Sequence, residues 1–227
     1  MNLLVLGRGK TGSLVAEVAR ARRHHVRVLG AAENANARAL TANFLSETDA
    51  AIDFTTPAAV VANAEACIRA GKNLVVGTTG WYDHVPHLRE KVMAAKTGFL
   101  YGSNFSIGMN LFFEIAQAAA PALHFEYSGQ IFERHHAQKK DAPSGTAITI
   151  RKVLRELGGR ELEIVSFREG DVVGMHEVVF DSPSDRIYLC HDSKSRRGFA
   201  EGAVRAAEWL PGKHGFYDFK DIFRELR

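Results

Sequence analysis

The stretch HHAQKKDAPSGT, from His135 to Thr146, carries the side chains most able to do chemistry. Two histidines, two lysines and one aspartate fall within seven positions, and Pro-Ser-Gly-Thr follows. His135 and Lys139 are four apart, so on a turn both could face one pocket, with His136 beside them. Ser144, Gly145 and Thr146 stand where the next helical pattern begins. The first amides of a helix are unpaired and carry its positive dipole end, which suits a carboxylate. Proton carriers beside an anion cradle fit reduction of a small polyanion at a C=N or C=C bond. A positioned general acid is worth on the order of 10²–10⁴-fold in such a step. The competing reading is a solvated basic loop. For Lys140 alone that reading is adopted.

A second constellation lies at the start. VLGRGKTGS holds Gly7, Gly9 and Gly12 as G-x-G-x-x-G, after an apolar strand pattern and before a helical one. That is the context a dinucleotide fingerprint needs. Gly7 allows the tight turn, Gly9 lets a pyrophosphate approach the backbone, and Gly12 lets helix and strand pack closely. A P-loop would need Lys and then Ser or Thr after the last glycine. Ser13 and Leu14 follow instead, which excludes it. The fingerprint also asks for an acid about twenty residues on, for the ribose hydroxyls. Glu33 stands there, followed by Asn34, with Arg38 the nearest downstream cation. Arg8 and Lys10 could also reach phosphate. A carboxylate at this place repels a 2′-phosphate, so the reading leans to NADH over NADPH.

These groups need a frame. NLLVLG (2–7), HVRVLGAA (25–32), AAIDFT (50–55), NLVVGTTG (73–80) and GFLYGSN (98–104) read as strands. Helical patterns alternate with them at 12–23, 34–42, 59–71 and 85–95. Continuous apolar strands between helices imply a parallel sheet covered on both faces. Ligands gather beyond the carboxyl ends of such strands. Those ends are small and polar here: Thr55, Gly77, Thr78, Thr79, Ser103 and Asn104. After about residue 105 the rhythm changes. A long apolar helix (107–123), a strand (125–136), a helix that Ser144 could cap (144–159), three strand-like runs and a late helix suggest a mixed or antiparallel sheet. The expected fold is α/β: a Rossmann-type domain over 1–105, then an α+β substrate and oligomerisation domain over 106–202. Residues of about 203–227 are expected to pack back on the first domain.

Composition sets the bounds. A chain of 227 residues suggests one or two domains at roughly 100–200 residues each. A net charge of +3 is too small to argue for nucleic acid. Cys67 and Cys190 both sit in apolar stretches and read as two buried free thiols in a reducing compartment. No Cys/His spacing suggests a metal. No apolar run approaches the ~20 residues of a membrane span. The opening MNLLVLG is too short for a signal core. A cytoplasmic protein without a membrane partner is the expectation.

The long segment at 135–146 matches throughout the H-H-x-x-K-x-D-A-P-S-G-T signature of the dihydrodipicolinate reductases, and the chain resembles that family. VVGTTG resembles its cofactor turn, SNFSIGMN its interdomain hinge, and GAVRAAEWLPGKHGFYDFKDIF its C-terminal block. The resemblance therefore covers nearly the whole chain. It implies NADH- or NADPH-dependent reduction of a small cyclic dicarboxylate to tetrahydrodipicolinate, in lysine and diaminopimelate biosynthesis. It implies His135 and Lys139 as catalytic residues, with His136, Ser144, Gly145 and Thr146 on the substrate. Either His135 or Lys139 would protonate the reduced ring. Gly7, Arg8, Gly9, Lys10, Thr11, Gly12, Glu33, Gly77, Thr78, Thr79, Gly102, Ser103, Asn104 and Phe105 would bind the cofactor. It also implies a homotetramer joined through the second domain's sheet. The glycine loop is one residue shorter than is common in the family. Asn34 replaces an arginine frequent after the acid, and the stretch from Glu33 to Asp49 is trimmed. The change at Asn34 weighs against NADPH. Two rivals remain: another Rossmann amino-acid dehydrogenase, and a non-catalytic module sensing NAD. Neither accounts for the clustered proton carriers.

Overall fold

A computed structural model of the protein describes residues 1–226. The chain forms two units, residues 1–107 with 197–227, and residues 108–196. In the first, strands β1 (Asn2–Leu6), β2 (His25–Leu29), β3 (Ala50–Asp53), β4 (Asn73–Val76) and β5 (Gly98–Tyr101) alternate with helices α1 (Lys10–Ala21), α2 (Ala42–Leu45), α3 (Pro57–Arg69) and α4 (Val85–Ala95). Strand β1 is apolar at every position after Asn2, and Leu3, Leu4, Val5 and Leu6 are all buried, as a strand covered on both faces requires. Helix α3 starts on Pro57, whose missing N–H is no loss in a first turn. Helix α4 closes at Lys96 in the left-handed conformation, φ 52°.

The helix expected over 34–42 does not form. A single 3₁₀ turn, Ala35–Ala37, stands there instead, with Asn36 at φ 51° and Ala37 at φ 59°. The Asn34 side chain turns inward onto Asn63, and its Oδ1 accepts from the Ala39 amide. The backbone follows that anchor rather than a helical ladder. The strands also stop earlier than the apolar runs suggested, at Leu29, Asp53, Val76 and Tyr101, so each polar end is free as a loop.

The sheet has the order β10-β5-β4-β3-β1-β2, with all pairs parallel. Strand β10 (Gly215–Asp218) is an element that the sequence patterns left in a short tail. Four residues carry too little periodicity to declare a strand. What fixes it is tertiary: Phe216 stacks on Phe99 with ring centroids 4.6 Å apart. Helix α7 (Arg197–Trp209) packs with α1 on one face of this sheet, and the short α8 (Phe219–Ile222) closes the chain's path.

In the second unit, α5 (Ile107–Ala119) leads to β6 (Ser128–His135), α6 (Gly145–Gly158), β7 (Glu163–Arg168), β8 (Met175–Asp181) and β9 (Arg186–Asp192). The sheet order is β7-β6-β8-β9; β6 and β7 are parallel and the other pairs antiparallel. Ser144 caps α6, its Oγ accepting from the Ala147 amide at 3.2 Å, and Gly159 ends it at φ 68°. Alternate residues face inward. Ile131, Val178 and Phe180 pack against Met109, Phe112, Ile150 and Leu154.

Cys67 is buried as expected, and burial pushes its thiol up to about 12. Cys190 is not buried; it is exposed. It pairs across the ladder with Glu177, and that position points away from the Val178–Phe180 core. Period-two alternation overrides the apolar neighbours. No helix among the described residues is long and apolar enough to cross a membrane.

Candidate active site

Parallel strands bring the loops after β1, β3 and β4 to one edge of the first sheet. Strand β1 lies between β2 and β3, so the order reverses there and a crevice opens at the carboxyl ends. Gly7 has φ +108°, and a Cβ on it would lie 2.2 Å from the Phe54 carbonyl oxygen. A Cβ on Gly12 would lie 2.2 Å from the Gly7 oxygen. Gly9 differs: nothing stands within 4 Å of its Cβ position, and it starts α1 without a side-chain cap. The first amides of α1 are therefore left for an anion.

Two cavities follow the crevice. One, of about 470 Å³, is lined by Gly7, Arg8, Gly30, Asn34, Thr55 and Asn63 among others. The other, of about 330 Å³, is lined by Gly9, Lys10, Thr11, Gly77, Thr78 and Thr79 among others. Phe54 lines both, and its ring fills the space where a Gly77 Cβ would sit, 2.2 Å away. Of the expected cofactor residues, Glu33, Gly102, Ser103, Asn104 and Phe105 line neither cavity. Phe105 is a core residue, 2 % exposed, packed on Phe219 at 4.6 Å.

Glu33 accepts from the Gly30 amide at 2.7 Å and from Arg8 Nη2 at 2.9 Å. The Gly30 amide, with Arg8, holds its carboxyl below the usual range. Arg38 turns back onto the carbonyls of Glu33 and Ala32. Asn34 points inward: its Nδ2 donates to Asn63 Oδ1 at 2.9 Å, and Asn63 Nδ2 donates to Asp53 Oδ2 at 2.8 Å. Asp53 Oδ1 also accepts from Thr55 N, Thr55 Oγ1 and Thr78 Oγ1 at 2.9, 2.6 and 3.0 Å. This fully buried carboxylate ties both cavities to one scaffold, and burial pushes its pKa up against those donors. Asp53 and Asn63 escaped the sequence reading. Their signal is an acid inside the apolar strand AAID, which needs partners to be tolerated.

The second unit gathers the rest. His135 ends β6 and is buried, with its Nδ1 bonded to the Glu133 carboxylate. His136 follows it, its Nε2 accepting from Arg196 Nη2 at 3.3 Å. Lys139 Nζ donates to both oxygens of Asp141, at 2.7 and 2.8 Å. Lys140 is exposed, as a solvated residue should be. Ser144 Oγ lies 3.2 Å from His176 Nε2. Gly145 and Thr146 form the first turn of α6 behind the Ser144 cap, which takes the Ala147 amide, and nothing lies within 4 Å of a Gly145 Cβ position. All six expected residues thus lie on one strand end, the following loop and one helix start.

Sequence reasoning missed Glu133, Arg168 and His176. Glu133 is fully buried; burial pushes it up, but hydrogen bonds from Arg168, Ser166 and His135 hold it down at about 2. Arg168 Nη2 reaches Glu133 at 2.7 Å and the Asp141 carbonyl at 2.6 Å. Burial and the nearby His135 push His176 down to about 3, so it is neutral at pH 7. Burial also pushes His135 below its ordinary value, against the opposing pull of Glu133. Donor atoms of Glu133, His135 and His176 lie within 4.8 Å of one another. A cation there would face the Arg168 guanidinium already on that carboxylate. The cluster is better suited to proton handling. The available signal was period two in β6, which puts Glu133 on the same inward face as Ile131 and His135.

Residues 1–105 match the family model described as "Dihydrodipicolinate reductase, N-terminus", and residues 108–223 match its C-terminal counterpart. A 4-hydroxy-tetrahydrodipicolinate reductase of Christiangramia forsetii is 38 % identical over 240 residues, covering 100 % of this chain and 99 % of the relative. One from Laribacter hongkongensis is 38 % identical over 198 residues, covering 78 % of this chain and 74 % of its own. Among solved structures, a dipicolinate-bound dihydrodipicolinate reductase from Paenisporosarcina sp. TG-14 shares the fold. Its TM-score is 0.79 at 24 % identity, over 98 % of this chain and 99 % of that one.

Proposed function

The chain belongs to the dihydrodipicolinate reductase family, and from that premise we propose that it reduces 4-hydroxy-tetrahydrodipicolinate, or its dehydrated ring, to tetrahydrodipicolinate. The step belongs to lysine and diaminopimelate biosynthesis. The observation that carries the reading is the single segment that joins His135 and Lys139 to the Gly145 and Thr146 amides at the start of α6. A cyclic dicarboxylate needs two anion sites and a proton source. The α6 amides at Gly145 and Thr146 supply one anion site, and His136 with the Lys139 ammonium supplies the other. When bound, the nicotinamide supplies the hydride. Lys139 delivers the proton, and His135 is its partner in proton exchange. Before substrate arrives, Asp141 holds Lys139; a substrate carboxylate competes for that ammonium.

The residues of the first unit fit a dinucleotide. Gly9 leaves room for a pyrophosphate at the α1 start, and Glu33 is bonded to Arg8 and the Gly30 amide, two residues that line the larger cavity. We assign NADH as the preferred cofactor, because the Glu33 carboxylate opposes a 2′-phosphate and Asn34, uncharged and bonded to Asn63, offers no cation to it. A homotetramer would use the outer face of the second sheet, where Tyr188 is 58 % and Phe167 36 % exposed. The cytoplasm suits two free thiols.

Lys139→Ala tests the proton assignment. Turnover should fall on the order of 10²–10⁴-fold. NADH affinity, read by fluorescence titration, should stay unchanged. Equal turnover in variant and wild type removes Lys139 from the mechanism.

A further inference from the structure

The loop at 135–146 is held from beneath by one buried carboxylate. We propose that Glu133 is a positioning residue of this site: it accepts the Nδ1 proton of His135, leaving Nε2 as the only ring nitrogen free to exchange a proton, and through Arg168 and the Ser144 amide it holds the loop that carries Lys139. The inference rests on the reading of His135 as a proton carrier.

The geometry is specific. Glu133 Oε2 meets His135 Nδ1. Glu133 Oε1 accepts from Arg168 Nη2 at 2.7 Å and from the Ser144 amide at 3.3 Å. The same Arg168 nitrogen reaches the Asp141 carbonyl at 2.6 Å. One carboxylate thus fixes the imidazole, the start of α6 and the loop between them. An ionised carboxylate only accepts, so the shared proton on Nδ1 fixes the tautomer. His135 Nε2 has no hydrogen-bond partner among the described residues. Beside it stands Gly174, where an added Cβ would lie 3.0 Å from Nε2. Gly174 therefore keeps that nitrogen open.

The groups facing His135 are few. Glu133 on its own strand is the anion. Lys139 on the loop and Arg168 on β7 are cations that disfavour the imidazolium. His176 on β8 is neutral, its ring centroid 5.2 Å away and nearly perpendicular. His191 on β9 acts on His176. Glu133 is the one group here that favours a protonated His135. Replacing it with glutamine leaves only burial and two cations, so the His135 titration must move to lower pH.

The test uses the full-length protein with ¹⁵N-labelled histidine. Long-range ¹H–¹⁵N NMR reads the His135 tautomer and its titration, and steady-state kinetics give kcat and KM against pH. Wild type should show the Nδ1–H tautomer when neutral. Glu133→Gln should lose that preference and lower the titration midpoint by about one unit or more. Its kcat should fall on the order of 10–100-fold, most at the alkaline end, while KM for NADH holds. Glu133→Asp, which keeps the charge, should recover part of both. Gly174→Ala should lower kcat with the Nδ1–H tautomer intact. A neutral wild-type His135 carrying its proton on Nε2 overturns the proposal whether or not any variant folds. So does a Glu133→Gln enzyme whose loss of kcat is the same at every pH. The NMR reading does not depend on turnover. An inactive wild type with the Nδ1–H tautomer would therefore sink the reductase reading and leave the hydrogen-bond assignment standing.

Discussion

On the proposed reading, Glu33 meets the adenosine ribose where the two nicotinamide dinucleotides differ, at a hydroxyl or a phosphate. Its carboxylate is taken by Arg8 and the Gly30 amide, both at the mouth of the larger cavity. Removing the charge would free Arg8 for a phosphate. Glu33→Ser should therefore raise kcat/KM for NADPH relative to NADH by about tenfold, a change of roughly 1.4 kcal/mol. A ratio unchanged from wild type would locate cofactor choice elsewhere. The sequence made Glu33 legible because a known spacing leads to it. It did not make Asn34 legible. In sequence Asn34 only stands where an arginine is frequent, whereas its side chain is an internal strut reaching Asn63 and then Asp53.

At the scale of elements, β6 and β8 turn polar at the ends nearest the site. The positions that bury Ile131, Val178 and Phe180 further along bury Glu133, His135 and His176 here. A buried neutral histidine makes stability depend on acid. His176 titrates at about 3 in the folded protein against an ordinary value near 6.5. Between those values the unfolded chain binds the extra proton, so stability falls as pH drops from about 6.5 toward 3. Glu133, at about 2 against an ordinary value near 4.5, adds a second loss from about 4.5 downward, because its folded value is depressed. The urea midpoint by far-UV circular dichroism should decline from pH 7 to pH 5 in wild type. His176→Gln should decline less over that window, and equal slopes would contradict the burial argument. Most elements could be read from period and composition, because strands such as LLVL and the α6 cap Ser144 declare themselves locally. Strand β10 and the turn at Asn36 could not, since an aromatic stack and an inward asparagine decide them. Within the site, residues with a motif were legible. Glu133, Arg168 and His176, which hold that motif in place, are single residues on separate strands, joined only by the sheet.

For the whole molecule, the outer face of the second sheet is the proposed meeting place of copies. Val179 pairs with Tyr188 across the ladder and Glu177 with Cys190, so Tyr188 and Cys190 share that face. If the tetramer forms through it, Tyr188→Glu buries a charge at the contact. Light scattering should then show smaller species, and Cys190 should react faster with a thiol reagent than in wild type. An unchanged mass with unchanged thiol reactivity would place the contact elsewhere. One assay reaches the chemistry directly. Substrate is generated in situ from pyruvate and aspartate semialdehyde by the condensing enzyme that precedes this step, and nicotinamide oxidation is followed with NADH and NADPH side by side. A reductase oxidises the nicotinamide rapidly, only with both precursors present, and faster with NADH. Binding of both cofactors with neither oxidised would contradict the reductase reading.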